Sequence, residues 1–282
     1  MPTTTRRHTL TLAGLEVPVV EVTGTGDGPR LTVIAGVHGC EYASMAAVRR
    51  WAGGLEHRDL RGRVVAVPVL NLPAFRARTP FLVPDDGKNL NRCFPGDPAG
   101  TLADRLAHDT FMQLISGSDA LVDAHTGDMV EALEPFALYD AGPAEARARE
   151  LASAYGLGYV IRQEPGGCGL VERAAVDAHV RGLDGVLAAL GMADPPADAR
   201  PASPPEHLQQ FLWLRTADEG WWEPAVTPGE KVAEGQLLGT VSSLDGARLL
   251  QTITAPAAGV PMFITSSPAV AADGLLLGLG AA

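Results

Sequence analysis

Two short runs constrain this chain more than anything else in it. Residues 31–36 (LTVIAG) and 63–70 (RVVAVPVL) are almost wholly apolar and rich in β-branched side chains. A strand with no polar face is buried on both sides, which is the position strands of a parallel sheet occupy. Parallel neighbours need a crossover. Residues 41–55, between the runs, carry Ala43, Ala46, Ala47, Val48 and Trp51 at roughly helical spacing. The first unit therefore reads as βαβ, and the fold class as α/β with a mixed, mostly parallel sheet flanked by helices.

The same pattern continues along the sequence. Helices are expected over residues 101–115, 144–155 and 174–190, and strands over 120–124 and 159–162. Residues 193–205 (ADPPADARPASPP) are too dense in proline for a helix or a central strand, so they read as a linker. Beyond them, turn signals at Pro228-Gly229, Glu234-Gly235, Asp245-Gly246 and Ala258-Gly259 punctuate short apolar runs, as in a small all-β domain. The expected organisation is an α/β domain over 1–192, a linker over 193–205 and a β-rich domain over 206–282.

Charge narrows the partners. A net charge of -11, with no cluster of Lys and Arg against it, disfavours nucleic acid. The N-terminal residues lack the apolar stretch of a signal peptide, and no apolar run reaches membrane-spanning length. Cys40, Cys93 and Cys168 are scattered and odd in number, which argues for a reducing compartment, with the cytoplasm as default. Self-association into a homo-oligomer stays open.

Three blocks carry chemistry. Gly36-Val37-His38-Gly39-Cys40-Glu41 follows a buried strand and opens a helix, at the carboxyl edge where open α/β sheets place their sites. A His and a carboxylate three residues apart converge on one ion when the loop is tight; a surface or capping role is the alternative. His125 ends the run 120–124, a strand that would deliver it to the same edge, and Asp123 projects as an outer partner. Two ligands close in sequence with a distant third is the usual layout of a catalytic zinc; a hydrogen-bonded histidine at a strand end is the plainer reading. Asn89-Leu90-Asn91-Arg92 sits in a long loop, where amide donors beside a guanidinium fork suit a carboxylate or else staple the loop. The other histidines, His8, His57, His108, His179 and His207, read as solvated.

GVHGCEY, NLNRCFPG and VDAHTG, in that order and spacing, resemble the zinc carboxypeptidase-like fold as used by the succinylglutamate desuccinylase/aspartoacylase family. The resemblance covers about residues 30–130. It implies one zinc per chain on His38, Glu41 and His125, and substrate-carboxylate recognition by Asn91 and Arg92. It further implies an arginine that polarises the scissile carbonyl, for which Arg78 is preferred to Arg76. Residues 226–239 and 252–260 look like halves of a biotinyl/lipoyl-type barrel, with Asp245-Gly246-Ala247-Arg248 where a carrier would display its lysine. Trp213, Trp221 and Trp222 are expected to pack that domain.

One departure stands out. Where the family has a further helix and a strand ending in a catalytic glutamate, residues 162–169 run almost directly into Val171-Glu172-Arg173, about twenty residues short of the pattern. Glu172 is then the candidate proton shuttle, with Glu164 a weaker substitute, and complementing the dipole of the next helix is the competing role for Glu172. The implied activity is zinc-dependent removal of an acyl group from an N-acyl amino acid or a related small amide. The rivals are a zinc carboxypeptidase acting on peptides and a catalytically silent zinc- or ligand-binding relative.

Overall fold

The computed structural model describes residues 3–127, 131–163, 173–194 and 204–282. It opens with a hairpin, β1 (Thr4–Leu12) and β2 (Leu15–Thr23), closed by Ala13 and Gly14, both at positive φ. Then come β3 (Arg30–Ala35), α1 (Tyr42–Gly54), β4 (Arg63–Val67), α2 (Leu72–Ala77), α3 (Leu102–Thr110) and β5 (Ala120–Ala124). The expected helix over 101–115 is present, its last turn relaxed to π geometry over Phe111–Ile115.

These strands form one sheet in the order β1-β2-β4-β3-β5. The pairs β4–β3 and β3–β5 are parallel, and β1–β2 and β2–β4 antiparallel. The sheet is thus mixed in equal parts rather than mostly parallel. The reason is the hairpin: it buries Val17, Val19 and Val22 while Thr9, Thr11, Glu16 and Thr23 are exposed, so its strands lack the continuous apolar runs that mark parallel strands. A core of Leu12, Val17, Val19, Ile34, Val65, Val67, Leu106 and Leu114 lies on one face of the sheet under α3. Because Ala35 is in register with Ala124, β3 and β5 end side by side, and the residues that follow each emerge at the same edge.

The remaining elements are β6 (Glu131–Leu133), β7 (Phe136–Asp140), α4 (Glu145–Ala154), β8 (Tyr159–Gln163), α5 (Arg173–Ala189), β9 (Glu206–Leu208), β10 (Gln210–Arg215), β11 (Gly220–Pro224), β12 (Leu237–Ser242), β13 (Leu249–Thr254), β14 (Gly259–Thr265), β15 (Ala269–Val270) and β16 (Leu275–Ala281). Two compact units result, one of residues 1–129, 154–156 and 166–200, the other of 130–153, 157–165 and 201–282. Residues 130–153 and 157–165, which the sequence pattern assigns to the first domain, group with the C-terminal strands because β6 pairs with β14 and β8 with β9. In this second unit Trp222 is buried and donates Nε1–H to the Thr265 carbonyl, and Trp213 packs against Phe211 and Phe263. Trp221 does not pack: it faces outward, 48% exposed. Asp245 and Gly246 form the tip of the β12–β13 hairpin.

The turn after β3 tolerates no extra atom. A Cβ on Gly39 would stand 2.4 Å from both the carbonyl carbon and the carbonyl oxygen of Ala74, and 2.7 Å from the Thr79 carbonyl oxygen. Gly39→Ala is expected to lower stability by about 1–3 kcal/mol through overpacking against backbone. Urea unfolding checks it, and an unchanged midpoint would contradict this close approach.

Candidate metal centre

The loop after β3 is held from below by a buried asparagine. The Asn71 amide donates to the Val37 carbonyl at 3.0 Å, its backbone N–H donates to Gly36, and its side-chain oxygen caps α2 through Ala74 N–H at 3.2 Å. With Gly36 at φ +69, the backbone turns back sharply and points His38 and Glu41 inward, both with 0% exposure. His125 follows β5 on the neighbouring strand end.

The Glu41 carboxylate lies between the two imidazoles. His38 Nδ1 is 2.7 Å from Oε1, and His125 Nδ1 is 2.9 Å from Oε2. The far nitrogens are engaged as well. His38 Nε2 lies 3.1 Å from Asn89 Oδ1, which also accepts the Asn91 N–H at 2.9 Å, and His125 Nε2 lies 2.9 Å from Asp123 Oδ2. An amide oxygen and a carboxylate only accept, so each Nε2 carries a hydrogen, and in the neutral imidazole that can bind a metal each Nδ1 then turns a lone pair toward Glu41. Three acceptors converging on one point repel one another unless a cation or protons stand between them.

This is the arrangement that a metal ion satisfies. The three ligand atoms lie within 4.8 Å of one another. Buried His125 Nδ1, although close to Glu41, has no properly aligned hydrogen bond. Two imidazole nitrogens and a carboxylate oxygen are a zinc donor set, and outer partners on both Nε2 atoms are what such ligands require. The electrostatics agree. Burial pushes the Glu41 carboxyl up, but His125 and His38 overcome it and hold the carboxyl at about 2. Burial pushes His125 down, and Asp123 and Glu41 outweigh it, so its imidazolium persists well above the usual histidine range.

The sequence-derived residues fall as follows. His38, Glu41 and His125 come together, with Asp123 as the outer partner of His125. Asn91 and Arg92 lie in a short helical turn, Leu90–Arg92, that Asn89 ties to His38; Asn91 is half-buried and the Arg92 side chain exposed. Arg78 closes α2 in the left-handed region at φ 56 and is exposed; the next residue, Thr79, is a near neighbour of Gly39. Glu172 and Glu164 lie outside the described residues.

Three residues join the site without having stood out in the sequence. Asn89 has a recognisable signal, an amide immediately before the helical turn Leu90–Arg92 that it caps. Phe81, at φ 53, sets its ring edge-on to His38 at 5.3 Å. His179 is a correction: instead of being solvated, it is partly buried and shares a 2.6 Å hydrogen bond with Tyr155. His8 too is partly enclosed, 3.9 Å from Glu21.

The chain is similar to known proteins over most of its length. Residues 27–194 match the succinylglutamate desuccinylase/aspartoacylase catalytic domain. The chain is 31% identical over 253 residues to an N-alpha-acetyl-L-2,4-diaminobutyric acid deacetylase from Halomonas elongata, covering 79% of this chain and 73% of that protein. Among solved structures, a succinylglutamate desuccinylase/aspartoacylase from Rhodobacter sphaeroides superposes with a TM-score of 0.84 at 27% identity, covering 99% of this chain and 95% of that one. A product-bound ectoine utilization protein from Ruegeria pomeroyi does so with the same score and coverage at 22% identity, a likeness of fold.

Metal affinity should fall as the pH falls. In the metal-free protein His125 keeps its proton to well above the usual range, so binding must displace it; Glu41, ionised above about 2, has none to release. Chelator competition across pH checks this, with His38→Ala and His125→Ala expected to abolish stoichiometric binding throughout. A pH-independent affinity, or full occupancy in either variant, would contradict the ligand set.

Proposed function

The chain belongs to the succinylglutamate desuccinylase/aspartoacylase family, and from that premise we propose that it is a zinc-dependent amide hydrolase that removes the acyl group from an N-acylated amino acid or a related small amide. The observation that carries the reading is the convergence of His38 Nδ1, His125 Nδ1 and the Glu41 carboxylate in a site whose outer nitrogens are already occupied. One ion per chain is held by these three residues. When bound, zinc acts as a Lewis acid on an amide carbonyl and lets water act as a nucleophile near neutral pH.

The protein's own groups supply the rest. Arg92 and Asn91 take the substrate carboxylate, a task suited to a guanidinium fork that is exposed before substrate arrives. Arg78 donates to the carbonyl oxygen as negative charge develops on it. A carboxyl group must hand a proton to the departing amine, and Glu172 is assigned that step. The catalytic domain is read as 1–192 with a zinc carboxypeptidase-like fold, the linker as 193–205, and the β domain as 206–282, a biotinyl/lipoyl-type relative without a prosthetic group. No described helix is long and apolar enough to cross a membrane. The substrate is a small molecule rather than a nucleic acid, and the scattered cysteines favour the cytoplasm.

Zinc-loaded protein is expected to hydrolyse at least one member of a panel of N-acetyl and N-succinyl amino acids that includes Nα-acetyl-2,4-diaminobutyrate. Release of C-terminal residues from peptides instead would favour a carboxypeptidase, and inertness toward every amide a silent binder. Arg92→Ala should keep its metal while KM rises roughly 30-fold, the counterpart of about 2 kcal/mol for a lost charge-assisted contact. An unchanged KM toward a carboxylate-bearing substrate would remove Arg92 from recognition.

A further inference from the structure

The loop that follows α2 presses a strained aromatic residue against the candidate centre. Leu82 N–H donates to the Pro80 carbonyl at 2.5 Å around Phe81, whose φ is 53. A bond from residue i+2 back to residue i across a positive φ is the rare and strained form of the γ-turn. Such strain persists only where the surroundings enforce it, and here they do. Upstream, Thr79 N–H donates to the Ala74 carbonyl at 3.0 Å, and Thr79 Oγ1 donates to the Leu82 carbonyl at 3.1 Å. Downstream, Leu82 bridges to Asn89, and the buried Val83 donates its N–H to the Lys88 carbonyl at 2.8 Å.

The enforced turn delivers the ring to the site. Phe81 meets His38 edge-on, with centroids 5.3 Å apart at 76°. His38 has no exposure while Phe81 is half-buried, so the ring stands between that histidine and water. The His125 side chain, with its ring centroid 5.1 Å from that of His38, keeps 14% exposure. Its backing group is an anion, Asp123, at 2.9 Å. The surroundings of the two histidines are therefore apolar at Phe81 and negatively charged at Asp123.

An N-acylated amino acid meets these surroundings with two unlike halves. The amino-acid half carries the carboxylate assigned to Asn91 and Arg92. The acyl chain is bonded directly to the carbonyl carbon, so it lies beside whatever holds the carbonyl. An aromatic ring in contact with His38 suits hydrocarbon at that place and leaves a carboxylate without a hydrogen-bond partner. We propose that Phe81 is a specificity-determining residue that walls the acyl side of the site, so that short, uncharged acyl groups of acetyl size are taken in preference to dicarboxylic ones such as succinyl. The inference rests on the amide-hydrolase reading above, and its test separates the two.

Zinc-loaded parent, Phe81→Gly and Phe81→Leu are compared on one amino acid carrying an acetyl, a butyryl or a succinyl group. Glycine accepts the left-handed backbone, so it removes the ring and keeps the turn; leucine leaves a smaller apolar wall. A second readout needs no turnover: acetate, butyrate and succinate are titrated into the Co²⁺-loaded proteins and followed by the visible bands. The parent should favour acetyl over butyryl roughly 10-fold or more in kcat/KM, the scale on which a pocket discriminates methylenes, and over succinyl by more still. In Phe81→Gly the butyryl-to-acetyl ratio should rise roughly 10-fold, the carboxylates should follow the same trend, and zinc affinity should match the parent's. Phe81→Leu should lie between. Parent preference for succinyl, or a parent-like acyl profile in Phe81→Gly, would overturn the proposal. So would loss of zinc with an unaltered acyl preference, the result expected of a mere prop for His38. If Phe81→Gly does not fold, Phe81→Leu decides by the same comparison. If no amide is hydrolysed, the hydrolase reading fails, and the titration still decides on Phe81: the same order of carboxylates in parent and variant would overturn it.

Discussion

Glu41 is a carboxylate with no exposure to water, and a charge so placed must be balanced where it stands. The balance comes from His38 on the same turn and His125 on the neighbouring strand end. Every other feature of the site serves that neutralisation. The parallel pairing of β3 with β5 brings the two strand ends together, the Asn71 amide holds the turn that points Glu41 inward, and the Thr126 N–H reaches Oε2 at 3.4 Å. Remove the second histidine and a buried carboxylate is left partly uncompensated, which destabilises the protein whether or not a metal is bound.

The two histidines are not equivalent. His38 is backed by the neutral amide of Asn89, His125 by the charged carboxylate of Asp123. A carboxylate raises the basicity of the ligand it supports more than an amide does, so His125 is the stronger donor, and Asp123 with Glu41 keeps its imidazolium well above the usual histidine range without metal. Asn89 in exchange couples His38 to the Leu90–Arg92 turn, so the segment assigned to substrate is positioned by the segment assigned to metal.

Much of this is legible in the sequence because the signals are local and strong. Apolar runs mark β3, β4, β5 and β8, helical spacing marks α1, α3, α4 and α5, and the position of His38, Glu41 and His125 after strands puts them at one edge. The β1–β2 hairpin is hidden because its outer face is polar, and α2 because six residues opening Leu-Pro offer little periodicity. His179 is hidden for a different reason. Nothing within α5 says that Gly182 faces a tyrosine from another segment, and only that packing turns a helical histidine into a partly buried, hydrogen-bonded one. Tertiary contact of this kind leaves no period to read.

Zinc K-edge X-ray absorption on the loaded protein tests the central claim most directly. One zinc per chain is expected, with scattering from two imidazoles at about 2.0–2.1 Å and a light oxygen shell at about 2.0–2.2 Å. A sulfur shell at about 2.3 Å, a single imidazole, or no stoichiometric zinc would contradict a centre built on His38, Glu41 and His125.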